Sequence, residues 1–232
     1  MAAKHKWQTI SVDAAREVLT RAFSVHPNNE SIYLAAAKLE RETRQYERAR
    51  EIYTLARSNC NTAKVWMQSA QLEREVGNDQ EAFRLVTEGI KAHANFPKLW
   101  MIAGQIQEKL GKKEEARELY DRGVSITKTS VPLWTCLIEL EAKAGNFAKA
   151  RSIWEKARIR NLNSNDLWYY AVKLEERDSN PKAAKYMLSK GLQECPKNGE
   201  LWALAIEIEP RHLRTAKSVE AMKNCDNDPY VI

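Results

Sequence analysis

The sequence predicts an all-α fold, a solenoid of antiparallel helix pairs with a period of about 34 residues. Turn residues are scarce, since the 232 residues include only 8 glycines and 7 prolines, and an all-β chain of many short strands would need more. An aromatic residue preceded by an aliphatic one also recurs, with gaps of 33, 34, 34, 34 and 34 residues. We call these aromatic residues the anchors: Tyr33, Trp66, Trp100, Trp134, Trp168 and Trp202.

Each repeat predicts two helices. The first begins just before the anchor and carries apolar residues at helical spacing, as in Trp134, Leu137 and Leu140, which predicts that the anchors pack between helices. Glycine, which ends helices readily, stands eleven positions after three anchors, whereas Arg44 and Ser179 depart from this pattern. The second helix carries an alanine sixteen positions after the anchor, which lets two helices approach closely. These alanines are Ala49, Ala82, Ala116, Ala150 and Ala184.

Equivalent positions of successive repeats, which we call columns, predict one continuous repeat array. Residues 1–26 form a partial repeat and residues 197–232 an irregular, truncated one, in which Pro210 shortens the first helix. Incomplete repeats at both ends predict a fragment of a longer array that self-associates through uncovered apolar faces. The full repeats between them are 27–60, 61–94, 95–128, 129–162 and 163–196.

Two charged columns predict ion pairs. A glutamate, or Gln107 in one repeat, stands seven positions after each anchor, and a basic residue stands seventeen positions after most of them. These positions are equidistant from the turn between the helices, so we expect pairing within each repeat. A pair of this kind fixes register more than it adds stability. The predicted pairs are Glu40 with Arg50, Glu141 with Arg151, and Glu175 with Lys185.

A search for catalytic constellations predicts no enzyme, no cofactor and no metal site. The four histidines are scattered, and the four cysteines form no C-x-x-C pair. Gly111-Lys112-Lys113 lacks the other residues of a phosphate-binding loop. No apolar run is long enough to span a membrane. The net charge of +6 permits contact with nucleic acid but does not require it.

The repeat resembles a known family. A helix pair with an early tryptophan, a glutamate seven positions later, then Ala-Arg and a late alanine is similar to the half-a-TPR repeat, which occurs in RNA-processing proteins. The generic tetratricopeptide pattern W-x-x-L-G-x-x-Y is absent after Trp100, Trp134 and Trp168. Three stretches resemble the splicing-factor members of the family: residues 96–108 (FPKLWMIAGQIQE), 192–196 (LQECP) and 215–225 (TAKSVEAMKNC).

This resemblance implies a right-handed superhelix and a nuclear, non-catalytic scaffold. Its implied partners are spliceosomal proteins, because splicing members of the family join the U5 particle to the U4/U6 particle through protein contacts. Two alternatives stay open. One is a helical repeat that binds RNA directly, and the other is a different RNA-processing member of the family, of the 3′-end cleavage factor type.

The predicted binding surface lies on the first helices, which usually line the concave side of such solenoids. Positions one, five and eight after each anchor share one face, where charges of both signs alternate with apolar residues. This mixture favours a protein partner, because a nucleic-acid path would be basic along its length. Arg211 and Arg214, in the last repeat, are the basic exception. The candidates on the shared face are Lys38, Arg41, Met67, Arg74, Met101 and Tyr169.

Overall fold

The computed structural model describes residues 11–162 and 164–225, and it confirms the all-α repeat fold: this part of the chain contains thirteen helices and no strand. The first seven helices are α1 (Val12–Val25), α2 (Glu30–Glu42), α3 (Tyr46–Asn59), α4 (Ala63–Val76), α5 (Asp79–Ala92), α6 (Pro97–Lys109) and α7 (Lys113–Ile126). The other six are α8 (Val131–Lys143), α9 (Phe147–Arg160), α10 (Asn165–Arg177), α11 (Pro181–Glu194), α12 (Gly199–Ile208) and α13 (Arg211–Asn224).

The helices gather into two compact units, Met1–Leu119 and Tyr120–Ile232, which we call the first and the second unit. Successive helices are joined by connections of two to four residues. Within each unit neighbouring helices pack against one another, as α4 does against α5 and α10 against α11. The first helices of neighbouring repeats also touch, as α2 touches α4 and α8 touches α10. The predicted repeat boundaries stay a prediction, and residues 1–10 and 226–232 lie outside the described residues.

A left-handed residue ends the first helix of most repeats. Gly77, Gly111 and Gly145 have φ values of 88°, 78° and 78°. Arg44 and Ser179, which break the glycine pattern in the sequence, adopt the same conformation, with φ values of 59° and 54°. The next amide then donates back across the turn, as Gln45 does to the carbonyl of Glu40 at 2.8 Å. The turn geometry is therefore kept where the glycine is not.

The anchors join the helices to the connections before them. Five of the six are buried, and Trp66 is half-buried. Four donate to the backbone carbonyl six residues earlier, as Trp134 Nε1 does to Lys128 at 2.9 Å and Trp202 Nε1 to Pro196 at 2.8 Å. A buried aromatic side chain with a satisfied polar atom thus fixes both the helix pair and the connection before it.

The last repeat has the shortest first helix among the described residues. Helix α12 has 10 residues, whereas the other first helices have 13 or 14. It ends before Pro210, as the sequence predicts. No helix in the described ranges is both long enough and apolar enough to cross a membrane.

Candidate functional site

The basic column pairs with the glutamate of the following repeat, not with that of its own. Arg50 donates from Nε and Nη2 to the two carboxylate oxygens of Glu73 at 2.7 and 2.8 Å. Arg151 does the same to Glu175 at 2.6 and 2.8 Å. The two-pronged hydrogen bonds raise the pKa of both guanidinium groups, so the two arginines stay charged.

All three ion pairs predicted within repeats are therefore wrong. Glu40 accepts from Arg16 at 2.8 Å, and Glu141 meets Lys149 at 2.8 Å. Lys185 reaches Glu209 at 3.4 Å rather than Glu175. The physical reason is that each second helix also packs against the next first helix, and the basic column lies on that side. We call this series the arginine–glutamate ladder: Arg16–Glu40, Arg50–Glu73 and Arg151–Glu175, with Lys185–Glu209 as its lysine member.

The corrected register explains two departures from the pattern. Phe83 replaces the cation in its repeat, and Gln107 replaces the glutamate of the following repeat. Phe83 packs against the cluster that contains Leu85, Ile102 and Ile106. Gln107 is buried, and its Oε1 accepts no hydrogen bond. Phe83 and Gln107 are both uncharged and stand where the cation and the carboxylate of one pair would be. This pair of positions therefore buries no unpaired charge.

A cleft lies between the first helices α2 and α4 of the first unit. It has a volume of about 330 Å³, and the side chain of Tyr53 from α3 reaches it. Three cations line the cleft, and no carboxylate does. We call it the basic cleft, and its lining residues are Leu34, Ala35, Lys38, Arg41, Tyr53, Lys64 and Gln68.

A second cleft, of about 380 Å³, lies between α8 and α10 of the second unit. Tyr169 and Tyr170 meet edge to face, with ring centroids 5.9 Å apart and an interplanar angle of 89°. Lys173 Nζ lies 5.8 Å from the Tyr169 ring centroid and 3.0 Å from a carboxylate oxygen of Glu176. Burial raises the pKa of Tyr170, so its phenol stays neutral. This tyrosine cleft is lined by Ile138, Glu139, Ala142, Tyr169, Tyr170, Lys173, Leu174 and Arg177.

The structure separates the candidate contact residues into different environments. Lys38 and Arg41 line the basic cleft, and Tyr169 lines the tyrosine cleft. Met101 is half-buried on α6. The placement of Met67 on the binding face is wrong: it is only 9% exposed, because it packs into the cluster with Leu99 and Ile102.

The three arginine candidates outside the clefts differ in how they are bonded. Arg74 is half-buried and donates to Gln105 Oε1 at 3.2 Å. Arg211 is exposed at the start of α13. Arg214 is exposed too, but it donates to the carbonyls of Glu207 and Glu209 at 3.0 and 2.9 Å, and so closes the end of α12.

Sequence reasoning missed several cleft residues. Tyr170 and Arg177 stand two and nine positions after Trp168, outside the columns chosen for the binding face. Lys64 precedes its anchor, and Tyr53 belongs to a second helix. The spacing gave no signal for Tyr53, because a second helix reaches this cleft only through the three-dimensional packing. In the parts of the chain that the structure describes, no three His, Cys, Asp or Glu side chains cluster as a metal site would require.

The repeats are similar to those of known tetratricopeptide repeat proteins. Tetratricopeptide repeat models match residues 1–63 and 97–130. The C-terminal part of a tetratricopeptide repeat protein from Cytophaga hutchinsonii superposes with a TM-score of 0.64 and 15% identity, over 99% of this chain and 96% of that one. A tetratricopeptide repeat protein from Parabacteroides merdae gives 0.57 and 16%, over 99% and 93%. At these identities the likeness shows the fold alone.

A curated relative matches a short stretch more closely. Protein STABILIZED1 of Arabidopsis thaliana is 51% identical over 45 residues, which is 19% of this chain and 4% of that protein. The match therefore spans only a small part of the relative. Tetratricopeptide-type repeats generally hold protein partners. The repeat models, the similar solved structures and the regular helix pairs agree on a TPR-like helical repeat fold.

Proposed function

We propose that this chain is a non-catalytic protein-interaction scaffold in pre-mRNA splicing, which bridges the U5 and U4/U6 particles during tri-snRNP assembly in the nucleus. The tyrosine cleft carries the protein-binding part of the proposal. Half-buried Tyr169 and Tyr170 offer rigid aromatic surface, and Glu139, Lys173 and Arg177 surround it with charges of both signs. An aromatic centre with a polar rim is typical of protein interfaces.

The splicing part of the proposal rests on sequence resemblance. Residues 96–108, 192–196 and 215–225 resemble the C-terminal repeat array of pre-mRNA-processing factor 6. The last of these stretches lies outside the repeat consensus, so it points to that protein rather than to helix pairs in general. The scaffold role agrees with the fold, because TPR-like repeats are typically non-catalytic and work through extended surfaces.

Recovery of partners from nuclear extract tests the proposal. The double variant Arg74→Ala/Tyr169→Ala removes one side chain from a first helix in each unit. We expect it to recover less U5 or U4/U6 protein, while its circular-dichroism spectrum stays unchanged, because neither side chain is fully buried. The matched control is Arg48→Ala/Tyr186→Ala, which removes an exposed arginine and an exposed tyrosine from second helices. Normal recovery of every partner by the first variant would contradict the proposal.

Direct RNA binding is the second candidate, and the exposed Arg211 and His212 at the start of α13 favour it. RNA affinity that falls steeply with salt and is abolished by Arg211→Glu would support this candidate. Arg211 is the better test residue, because Arg214 is held by two backbone carbonyls. A chain of the 3′-end cleavage factor type would instead recover cleavage-complex proteins in the same extract experiment.

A further inference from the structure

The cations of the basic cleft are only loosely paired. Arg41 Nε lies 3.6 Å from Glu75, Lys38 Nζ lies 3.6 Å from Glu42, and Lys64 Nζ lies 3.7 Å from Glu30. The three arginine pairs of the ladder, in contrast, have N–O distances of 2.6–2.8 Å. Exposed pairs of this kind add little stability, and both lysine side chains are 58% exposed. The two lysines can therefore turn toward a bound anion at little cost, whereas Arg41, which is 23% exposed, also donates to Gln68 Oε1 at 3.4 Å.

A buried phenol also faces this cleft. Tyr53 is only 2% exposed, and its hydroxyl makes no hydrogen bond within the described protein. The charges of Arg41 and Glu75 act on it, and the same side chain also lines a neighbouring pocket with Arg57 and Glu73. Burial raises the pKa of Tyr53 to about 12, so at neutral pH the phenol holds its proton and can donate it. The hydroxyl can therefore donate a hydrogen bond to a ligand in the cleft without giving up one inside the protein.

We infer that the basic cleft binds a carboxylate side chain from an acidic segment of a protein partner. Tyr53 donates a hydrogen bond to that carboxylate, and Lys38, Arg41 and Lys64 supply the opposing charge. Leu34 and Ala35 give the cleft an apolar floor for the methylene carbons of a glutamate. This inference deepens the proposed function by naming the chemistry of a partner, and it rests on that function.

An acidic peptide fits the cleft better than RNA does. The basic patch of the cleft is small, and its cations are bordered by the carboxylates of Glu30, Glu42 and Glu75. These carboxylates would repel a phosphate backbone that continued past the patch, whereas a peptide can place neutral residues beside them. The one aromatic ring in the lining belongs to Tyr53, and it is too deeply buried to stack on a base.

The experiment uses the full chain and a fluorescent poly-glutamate peptide, with poly-glutamine as the uncharged probe. We expect the acidic peptide to bind, with affinity that falls as salt rises. Tyr53→Phe should weaken binding about tenfold, because it removes one hydrogen bond to a charged group. It should not lower the melting temperature, because the hydroxyl has no partner in the protein. Tyr186→Phe, an exposed tyrosine on α11, is the matched control and should change nothing.

A cleft that serves only the packing would give a different result. Equal affinity of Tyr53→Phe and the original chain for poly-glutamate, or no binding of that peptide at all, would overturn the inference. So would single-stranded RNA that binds the original chain, is weakened by Tyr53→Phe and displaces no peptide. If the inference fails while Tyr169→Ala still reduces recovery of splicing proteins, the proposed function stands without it.

Discussion

The basic cleft and the tyrosine cleft occupy equivalent places between successive repeats, yet they offer different chemistry. Each lies between the first helices of successive repeats. Five positions after the first anchor, the basic cleft has Lys38 where the tyrosine cleft has Glu139. Eight positions after it, Arg41 is matched by Ala142. The same backbone positions therefore give a cationic pocket in the first unit and an aromatic one in the second.

The columns that hold the helices together vary far less than the columns that face the clefts. Glutamate stands seven positions after five of the six anchors, and the arginine–glutamate ladder uses that column in both units. Where the cation is lost, at Phe83, the carboxylate of the next repeat is lost as well. The ladder residues therefore keep the helix packing the same in both units, while positions five and eight after an anchor decide which chemical groups line the cleft.

Removal of a ladder arginine should have the largest effect, and that effect should be on stability. Arg50→Ala leaves the carboxylate of Glu73, which is buried, without its two-pronged partner. We expect a loss of about 3 kcal/mol in the free energy of unfolding, because an uncompensated buried charge is expensive. Chemical denaturation followed by circular dichroism measures this loss.

Arg48→Ala is the matched control on the same helix. Arg48 is exposed, and we expect its removal to change the free energy of unfolding by less than about 0.5 kcal/mol. Equal denaturation midpoints for Arg50→Ala and the original chain would show that Glu73 finds another partner. The ladder would then contribute nothing to stability.

An exchange of cleft residues should have a smaller effect on stability but a clear effect on binding. Lys38→Glu/Arg41→Ala places the residues of the tyrosine cleft at positions five and eight of the basic cleft. Loss of two cations and gain of one carboxylate should weaken poly-glutamate binding more than tenfold. Fluorescence anisotropy measures the affinity. Lys91→Glu/Arg48→Ala, which makes a similar change in charge at exposed second-helix positions, should leave it nearly intact.

Much of the fold could be predicted from the sequence, because the same residue pattern recurs in successive repeats. The anchor spacing predicted the helix pairs, and Pro210 predicted the short α12. The partners of Arg50 and Arg151 could not be predicted from turn symmetry alone. A second helix has two neighbouring first helices, and only the packing shows that the basic column turns toward the later one.

The clefts were harder to predict than the fold. Lys38, Arg41 and Tyr169 were found because they stand in columns of the first helices. Met67 stands in such a column too, but local packing draws its flexible side chain into the core. Tyr53 lies on the neighbouring helix, and its lack of a hydrogen-bond partner is a property of the packed structure that no spacing reveals.

Site-specific photocrosslinking in nuclear extract shows whether protein partners bind on the first-helix face. A photoreactive benzophenone residue replaces Lys38, Tyr169 or, on the exposed side of α11, Tyr186. The account predicts crosslinks from positions 38 and 169 to spliceosomal proteins, and none from position 186. Protein crosslinks from position 186 alone, or crosslinks to RNA alone from positions 38 and 169, would contradict it.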